Sequence, residues 1–82
     1  MGEEQRTLTD GDASIGRQIR ETREAAGLSQ LELAERAGLT QGNLSWIETG
    51  RRGVGVEVLN RLADALGATW GYDGGRMIFR RR

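Results

Sequence analysis

The chemistry available to this chain is charge and hydrogen bonding. Its 82 residues include no Cys and no His, and every one of its 12 basic residues is Arg. That removes thiolate nucleophiles, imidazole bases, disulfides and the usual zinc ligands together. No phosphate-cradling glycine loop, no pair of carboxylates in an apolar setting and no nucleophile–base pair occurs. The expectation is therefore a non-enzyme, with no cofactor and no metal. What remains is the guanidinium, a planar fork suited to two-point contacts with phosphate and guanine. Its distribution matters more than its sum. Formal net charge is 0, but residues 1–13 carry −3, residues 14–50 carry −1 and residues 51–82 carry +4. A zero sum argues mildly against a nucleic-acid partner; a basic C-terminal third does not.

The elements that must position these groups are legible from periodicity and caps. Residues 1–12 carry Glu3, Glu4, Asp10 and Asp12 and no apolar run. They predict a disordered acidic tail, neither a signal peptide nor a membrane span. Ile15, Ile19 and Ala26 recur at helical spacing behind Ser14, so a first helix is expected over Ser14–Ala26, ended by Gly27. Ser29 stands three residues before Glu32, a capping box that opens a second helix over Gln30–Ala37. Its inward residues are taken as Leu31, Ala34 and Ala37. Thr40 caps a third helix, Gln41–Thr49, anchored by Leu44 and Ile47. A loop rich in Gly and Arg, Gly50–Gly55, leads to a fourth helix, Val56–Leu66, with Leu59, Leu62, Ala63 and Leu66 on one face and Gly67 as its C-cap.

The segment from Gln30 to Ile47 has the makings of two helices crossing steeply over a short turn. Such a crossing needs a small residue at the contact, here Ala34, and a turn residue that accepts positive φ, here Gly38. Anchoring at Leu44 and Ile47 turns the opposite face of the third helix outward. The chain here resembles the lambda-repressor-like family of phage repressors and bacterial Xre-type regulators. The resemblance runs from about Ile15 to Gly67. It rests on Ile-Arg-x-x-Arg…Gly-Leu-Ser-Gln-x-x-Leu-Ala…Gly-Leu…Ser-x-Ile-Glu-x-Gly, between Ile19 and Gly50, and on Leu-x-x-Leu-Ala-x-Ala-Leu-Gly, between Leu59 and Gly67. Gly53-Val54-Gly55 departs from the family's usual Asn-Pro-Ser, which costs the fourth helix its Pro and its Ser cap.

The resemblance implies four or five helices, with the third in the major groove of double-stranded DNA. It places Gln41, Gly42 and Trp46, with Asn43 nearby, on base edges. A Gln amide there can pair with adenine at two points. It places Ser29, Gln30 and Thr49 on the DNA backbone, and Arg51 and Arg52 as phosphate cations. It also implies that Arg23 and Glu48 pair, bridging the first and third helices in a structural role. Plainer readings stand beside these: Gln30 as no more than a helix cap, Trp46 as a core or interface residue, and Arg80–Arg82 as a solvated terminus.

Beyond Gly67 the period changes. Ala68–Tyr72 and Arg76–Arg80 flank Asp73-Gly74-Gly75 and predict a β-hairpin. A three-residue loop would set Tyr72 opposite Arg76. A two-residue Asp73-Gly74 loop would set Tyr72 opposite Gly75, Trp70 opposite Met77 and Ala68 opposite Phe79. The second separates apolar from polar faces and is preferred. Trp70, Tyr72, Met77 and Phe79 are then expected to form a homodimer interface; the plainer reading is a hairpin folded back on the fourth helix of its own subunit, with dimerisation through helices alone.

The resulting map is a tail at 1–12, a helix-turn-helix domain at 13–67 and a dimerisation hairpin at 68–82, mainly α. The expected function is that of a cytoplasmic repressor on a palindromic operator. Two alternatives are an antitoxin with a toxin partner, and a protein-interaction module that has lost DNA binding.

Overall fold

The computed structural model describes residues 13–82. The acidic segment 1–12 and the disorder expected of it lie outside the described residues. The order of elements is α1 (Ala13–Ala25), α2 (Gln30–Ala37), α3 (Gln41–Glu48), α4 (Val56–Leu66), β1 (Ala68–Asp73) and β2 (Arg76–Arg81). The architecture is mainly helical, four helices followed by a two-stranded antiparallel hairpin. No described helix is long and apolar enough to cross a membrane.

Local chemistry sets the helix ends. Ser29 Oγ accepts from the Glu32 N–H at 3.0 Å, and Glu32 Oε1 accepts from the Ser29 N–H at 2.8 Å, the reciprocal capping box. Gly38 closes α2 with φ 73°, in the left-handed region where a side chain is strained. Gly55 caps α4 without a side-chain bond.

The Ser29 N–H, and then its hydroxyl, hold the Glu32 carboxyl below its ordinary pKa. A depressed pKa contributes stability that is present above the unfolded value and lost as pH falls through the folded one. Glu32→Gln is therefore expected to lower the thermal midpoint at neutral pH. The gap to the parent should close on acidification below the ordinary Glu range. A gap that stays constant with pH would remove the carboxylate from this account.

The core joins every element. Ile15 and Ile19 of α1, Leu33, Ala34 and Ala37 of α2, Leu44 and Ile47 of α3, Val54 of the loop and Leu59, Leu62, Ala63 and Leu66 of α4 are buried together with Ala68, Met77 and Phe79 of the hairpin. One inward residue differs from expectation. Leu31 is 50% exposed and Leu33 takes its place. At 3.6 residues per turn, Leu33, Ala34 and Ala37 share an arc of about 100°, whereas Leu31 lies about 160° from Leu33. Gly16 marks a close approach of two backbones. A Cβ on it would run into the Ile47 carbonyl oxygen and stand 2.8 Å from that of Glu48, so the backbone of α1 lies directly on the end of α3.

The hairpin forms, in a register different from both expected ones. Asp73 faces Arg76, Tyr72 faces Met77, Trp70 faces Phe79 and Ala68 faces Arg81. The turn is Gly74-Gly75, with φ 63° and 82°. A type I′ turn needs positive φ at both central residues, and a glycine pair supplies it where Asp73 would be strained. The shift from the preferred register is two residues, so each side chain keeps the face assigned to it.

That apolar face is turned onto the chain's own helices. Met77 and Phe79 are buried in the subunit core, which corrects their expected place in a dimer interface. The helices leave their apolar side between α1 and α4 uncovered, and the hairpin covers it. Gln18 fastens it: its Nε2 donates to the Met77 carbonyl at 3.1 Å, and its Oε1 accepts from the Phe79 N–H at 2.8 Å. Trp70 is half-buried and donates Nε1–H to Asn60 Oδ1 at 2.8 Å, while Tyr72 remains 59% exposed.

Candidate nucleic-acid interface

Three fixings position α3. Thr40 Oγ1 accepts the Asn43 N–H at 3.1 Å and starts the helix. Leu44 and Ile47 anchor its inner face, and the end carrying Ile47 and Glu48 sits against Gly16. Glu48 then locks it to α1. Arg23 Nε donates to Glu48 Oε2 at 2.8 Å and Nη2 donates to Oε1 at 3.1 Å, a two-point contact. Arg23 Nη1 also donates to the Leu28 carbonyl at 2.9 Å, tying in the approach to α2. The side chains are 10% and 1% exposed. The Glu48 hydrogen bond raises the Arg23 pKa against the opposing effect of burial.

This pairing has an electrostatic consequence. Glu48 is the one acid in α3, and it is buried and compensated. The outward face of α3 therefore carries no negative charge. That face displays Gln41, Gly42 and Trp46, all exposed, with Asn43 half-buried beside them.

The loop after α3 folds back on it. The Arg51 and Arg52 N–H groups both donate to the Trp46 carbonyl, at 2.9 and 3.2 Å. Arg52 Nη1 donates to Asn43 Oδ1 at 2.9 Å, and its guanidinium carbon lies 5.7 Å from the Trp46 ring centroid, a cation–π contact. Arg52 thus holds two residues of the outward face in place. The guanidinium of Arg51 is exposed, with no partner among the described residues.

The flanking positions divide. Ser29 accepts the Glu32 N–H with its hydroxyl oxygen in the capping box, and the same hydroxyl lies against the Glu32 carboxylate. Gln30 is half-buried and donates Nε2–H to Glu48 Oε1 at 3.0 Å, which leaves its second amide hydrogen. Thr49 is engaged within its own helix. Its hydroxyl donates to the Ser45 carbonyl at 3.0 Å and is shared with that of Trp46. At the last turn of a helix the nearest acceptors are the helix's own carbonyls, each of which has a second lone pair.

Sequence reasoning missed Gly16, Gln18, Asn60 and the Arg52–Asn43 bond. Gly16 carried a signal, since a glycine in the middle of a helical pattern is costly unless something approaches closely. Among the described residues no group of three or more His, Cys, Asp or Glu side chains could hold a metal ion.

A family model described as a helix-turn-helix domain matches residues 14–70, ending inside β1. An HTH-type transcriptional regulator from Methanothermobacter thermautotrophicus is 45% identical over 49 residues, 60% of this chain and 71% of that one. A second, y4dL from Sinorhizobium fredii, is 46% identical over 52 residues, 63% of this chain, which spans only 26% of that longer protein. Among solved structures, the restriction-modification controller protein C.AhdI from Aeromonas hydrophila superposes with a TM-score of 0.61 at 41% identity, over 62% of this chain and 77% of that one. The clp gene regulator ClgR from Corynebacterium glutamicum gives a TM-score of 0.67 at 37% identity, over 72% and 75%.

Proposed function

Since the chain belongs to the helix-turn-helix domain family, among its Xre or lambda-repressor-like members, we propose that it is a sequence-specific DNA-binding repressor of transcription, acting as a homodimer on a palindromic operator. The observation that carries this reading is the outward face of α3. Gln41, Gly42 and Trp46 stand together there, and the one acid of the helix is buried on the other side. In this reading α3 enters the major groove. Gln41 pairs with an adenine, Trp46 packs on thymine methyls or sugars, and Gly42 lets the helix approach closely. Arg52 is assigned a role in aiming Asn43 and Trp46, in addition to its charge. Arg51 and the remaining Gln30 amide hydrogen hold phosphates, joined by the Ser29 hydroxyl when it turns from Glu32. Half-sites lie about 34 Å apart, one helical turn, or a multiple of it.

Selection of bound duplexes from a random pool tests the reading, and two variants separate its parts. Gln41→Ala should cost about 1–3 kcal/mol on the selected site and relax one base position. Arg51→Ala should weaken all sequences alike and reduce the salt slope by about one unit. A pool that yields no motif at low salt would refute sequence-specific binding. A motif left unchanged by Gln41→Ala would remove Gln41 from base readout.

A further inference from the structure

We propose that β1 is the strand through which two copies of this chain join, antiparallel and edge to edge, about a two-fold axis at Gly71. The inference rests on the homodimer in the function proposed above and gives it a surface.

The register decides which edge is available. A two-residue turn closes on a hydrogen-bonded pair, here Asp73 and Arg76, and bonded pairs then alternate down the ladder. Gly71 with Ile78 and Thr69 with Arg80 are the next bonded pairs. The alternation continues past the strand ends, where the Arg82 N–H donates to the Gly67 carbonyl at 3.1 Å. Odd-numbered residues of β1 therefore turn their main-chain groups toward β2, while Trp70 and Tyr72 turn theirs outward. On β2 the outward groups belong to Met77, Phe79 and Arg81. Gln18 occupies the Met77 carbonyl and the Phe79 N–H with its side-chain amide, so this edge is closed by α1. The outward groups of Trp70 and Tyr72 have no partner among the described residues. An exposed strand edge of this kind is a template for another strand.

The side chains suit a copy of the same strand. Set antiparallel about Gly71, Trp70 of each copy faces Tyr72 of the other, and these two pairs exchange four main-chain hydrogen bonds. Gly71 then faces Gly71 at a non-bonded position, where Cα atoms approach to about 4.5 Å. Nothing among the described residues calls for glycine there. Its φ is not positive, and an added Cβ would meet no atom within 4 Å. A glycine inside a strand weakens it and marks a place where another backbone comes close.

On the core-facing side, Tyr72, 59% exposed in the single chain, gains Trp70 of the second copy as a cross-strand neighbour. On the outer side, Asp73 is the one acid of a hairpin that also carries Arg76, Arg80, Arg81 and Arg82. The dyad sets Asp73 beside Thr69 of the other copy, in the row that continues to Arg80. Two strand spacings, about 9.5 Å, are within reach of an arginine side chain. The occupant that matches this edge in hydrogen bonding, shape and charge is therefore a second copy.

The chain has no Cys, so single cysteines report on the interface without background. Gly71→Cys should cross-link to a covalent dimer under mild oxidation, on the order of tenfold faster than Thr69→Cys, because only the first brings its Cα atoms within disulfide range. Thr69 lies on the same strand and face, yet about 13 Å from its own copy in this register. Tyr72→Pro removes an outward N–H and leaves the β2 ladder intact, as proline can on an edge strand. It should sediment as a monomer while keeping its helical circular dichroism.

A parent protein that sediments as a dimer, with equal cross-linking of the two cysteine variants and a dimeric Tyr72→Pro, would overturn this interface and leave the homodimer standing. A parent that stays monomeric at all concentrations and on DNA would overturn both.

Discussion

Replacing Glu48 with Ala is expected to lower folding stability by about 3–5 kcal/mol. Its carboxylate accepts three hydrogen bonds, from Arg23 Nε, Arg23 Nη2 and Gln30 Nε2. Alanine leaves a guanidinium 10% exposed, with the Leu28 carbonyl as its one remaining hydrogen-bond acceptor and the exposed Glu24 carboxylate 3.9 Å away. The cost is chiefly that of stranding a charge away from water, so it far exceeds the roughly 0–1 kcal/mol of a surface pair. For a domain of this size it corresponds to a fall in midpoint on the order of 15–30 °C.

A second variant separates stranded charge from lost packing. Replacing Arg23 and Glu48 together by Met removes both charges and keeps much of the volume. This double variant should be much more stable than Glu48→Ala, since a buried pair can often be exchanged for apolar side chains at little cost. If the double variant is as unstable as the single one, the carboxylate is not the source of the loss. A midpoint unmoved by Glu48→Ala would show that the pair contributes no more than an exposed one. DNA affinity carries a further signature. The pair joins α1 to the end of α3, so the double variant, although folded, should still bind its site more weakly if charge pairing sets the angle of α3.

Signals confined to a few neighbouring residues were legible in the sequence. The Ser29–Glu32 box, the glycines that end α2 and α4 and the Leu44–Ile47 anchor each act within one turn of helix, and each is found in place. The hairpin was legible as an element and in the assignment of its faces, because both depend on the alternation of side chains. Its register depended on which dipeptide took the turn. Asp73-Gly74 and Gly74-Gly75 compete there, and the second has no Cβ to strain. What escaped reading were contacts between distant segments. Leu33 rather than Leu31 is inward because of where α4 and α3 lie around α2. Gln18 is an exposed-looking amide until β2 arrives beside it, 59 and 61 residues later in the chain. Met77 and Phe79 were rightly read as needing cover, and the cover is the subunit's own helices. On the candidate site, residue types along α3 were readable. The bond from Arg52 to Asn43 was not, because it depends on the path of a loop whose sequence departs from the family pattern.

Gly16→Ala should destabilise the protein by about 2 kcal/mol, against the usual sign of that substitution in a helix. Inside α1, alanine would normally gain about 0.5–1 kcal/mol over glycine. Here the new methyl is directed at main-chain carbonyls of α3, those of Ile47 and Glu48. Overpacking against a close-packed neighbour costs about 1–3 kcal/mol, and backbone cannot rotate aside as a flexible side chain can. The relief open to the protein is to move α3 away from α1. That movement stretches the Arg23–Glu48 bonds, which cross the same junction, and carries Gln41 and Trp46 with it. The loss should therefore appear twice, as a lower urea midpoint and as weaker binding to the selected duplex at temperatures where the variant is fully folded. Gly42→Ala is the control. It lies in α3, has ordinary backbone geometry, and an added Cβ meets nothing within 4 Å. There alanine should be neutral or stabilising by up to about 1 kcal/mol. The same change at two helical glycines is thus expected to have opposite signs, decided by whether a neighbouring backbone occupies the space. Equal effects at the two positions, or a Gly16→Ala protein as stable as the parent, would mean that the α1–α3 contact has room to spare and does not fix the position of α3.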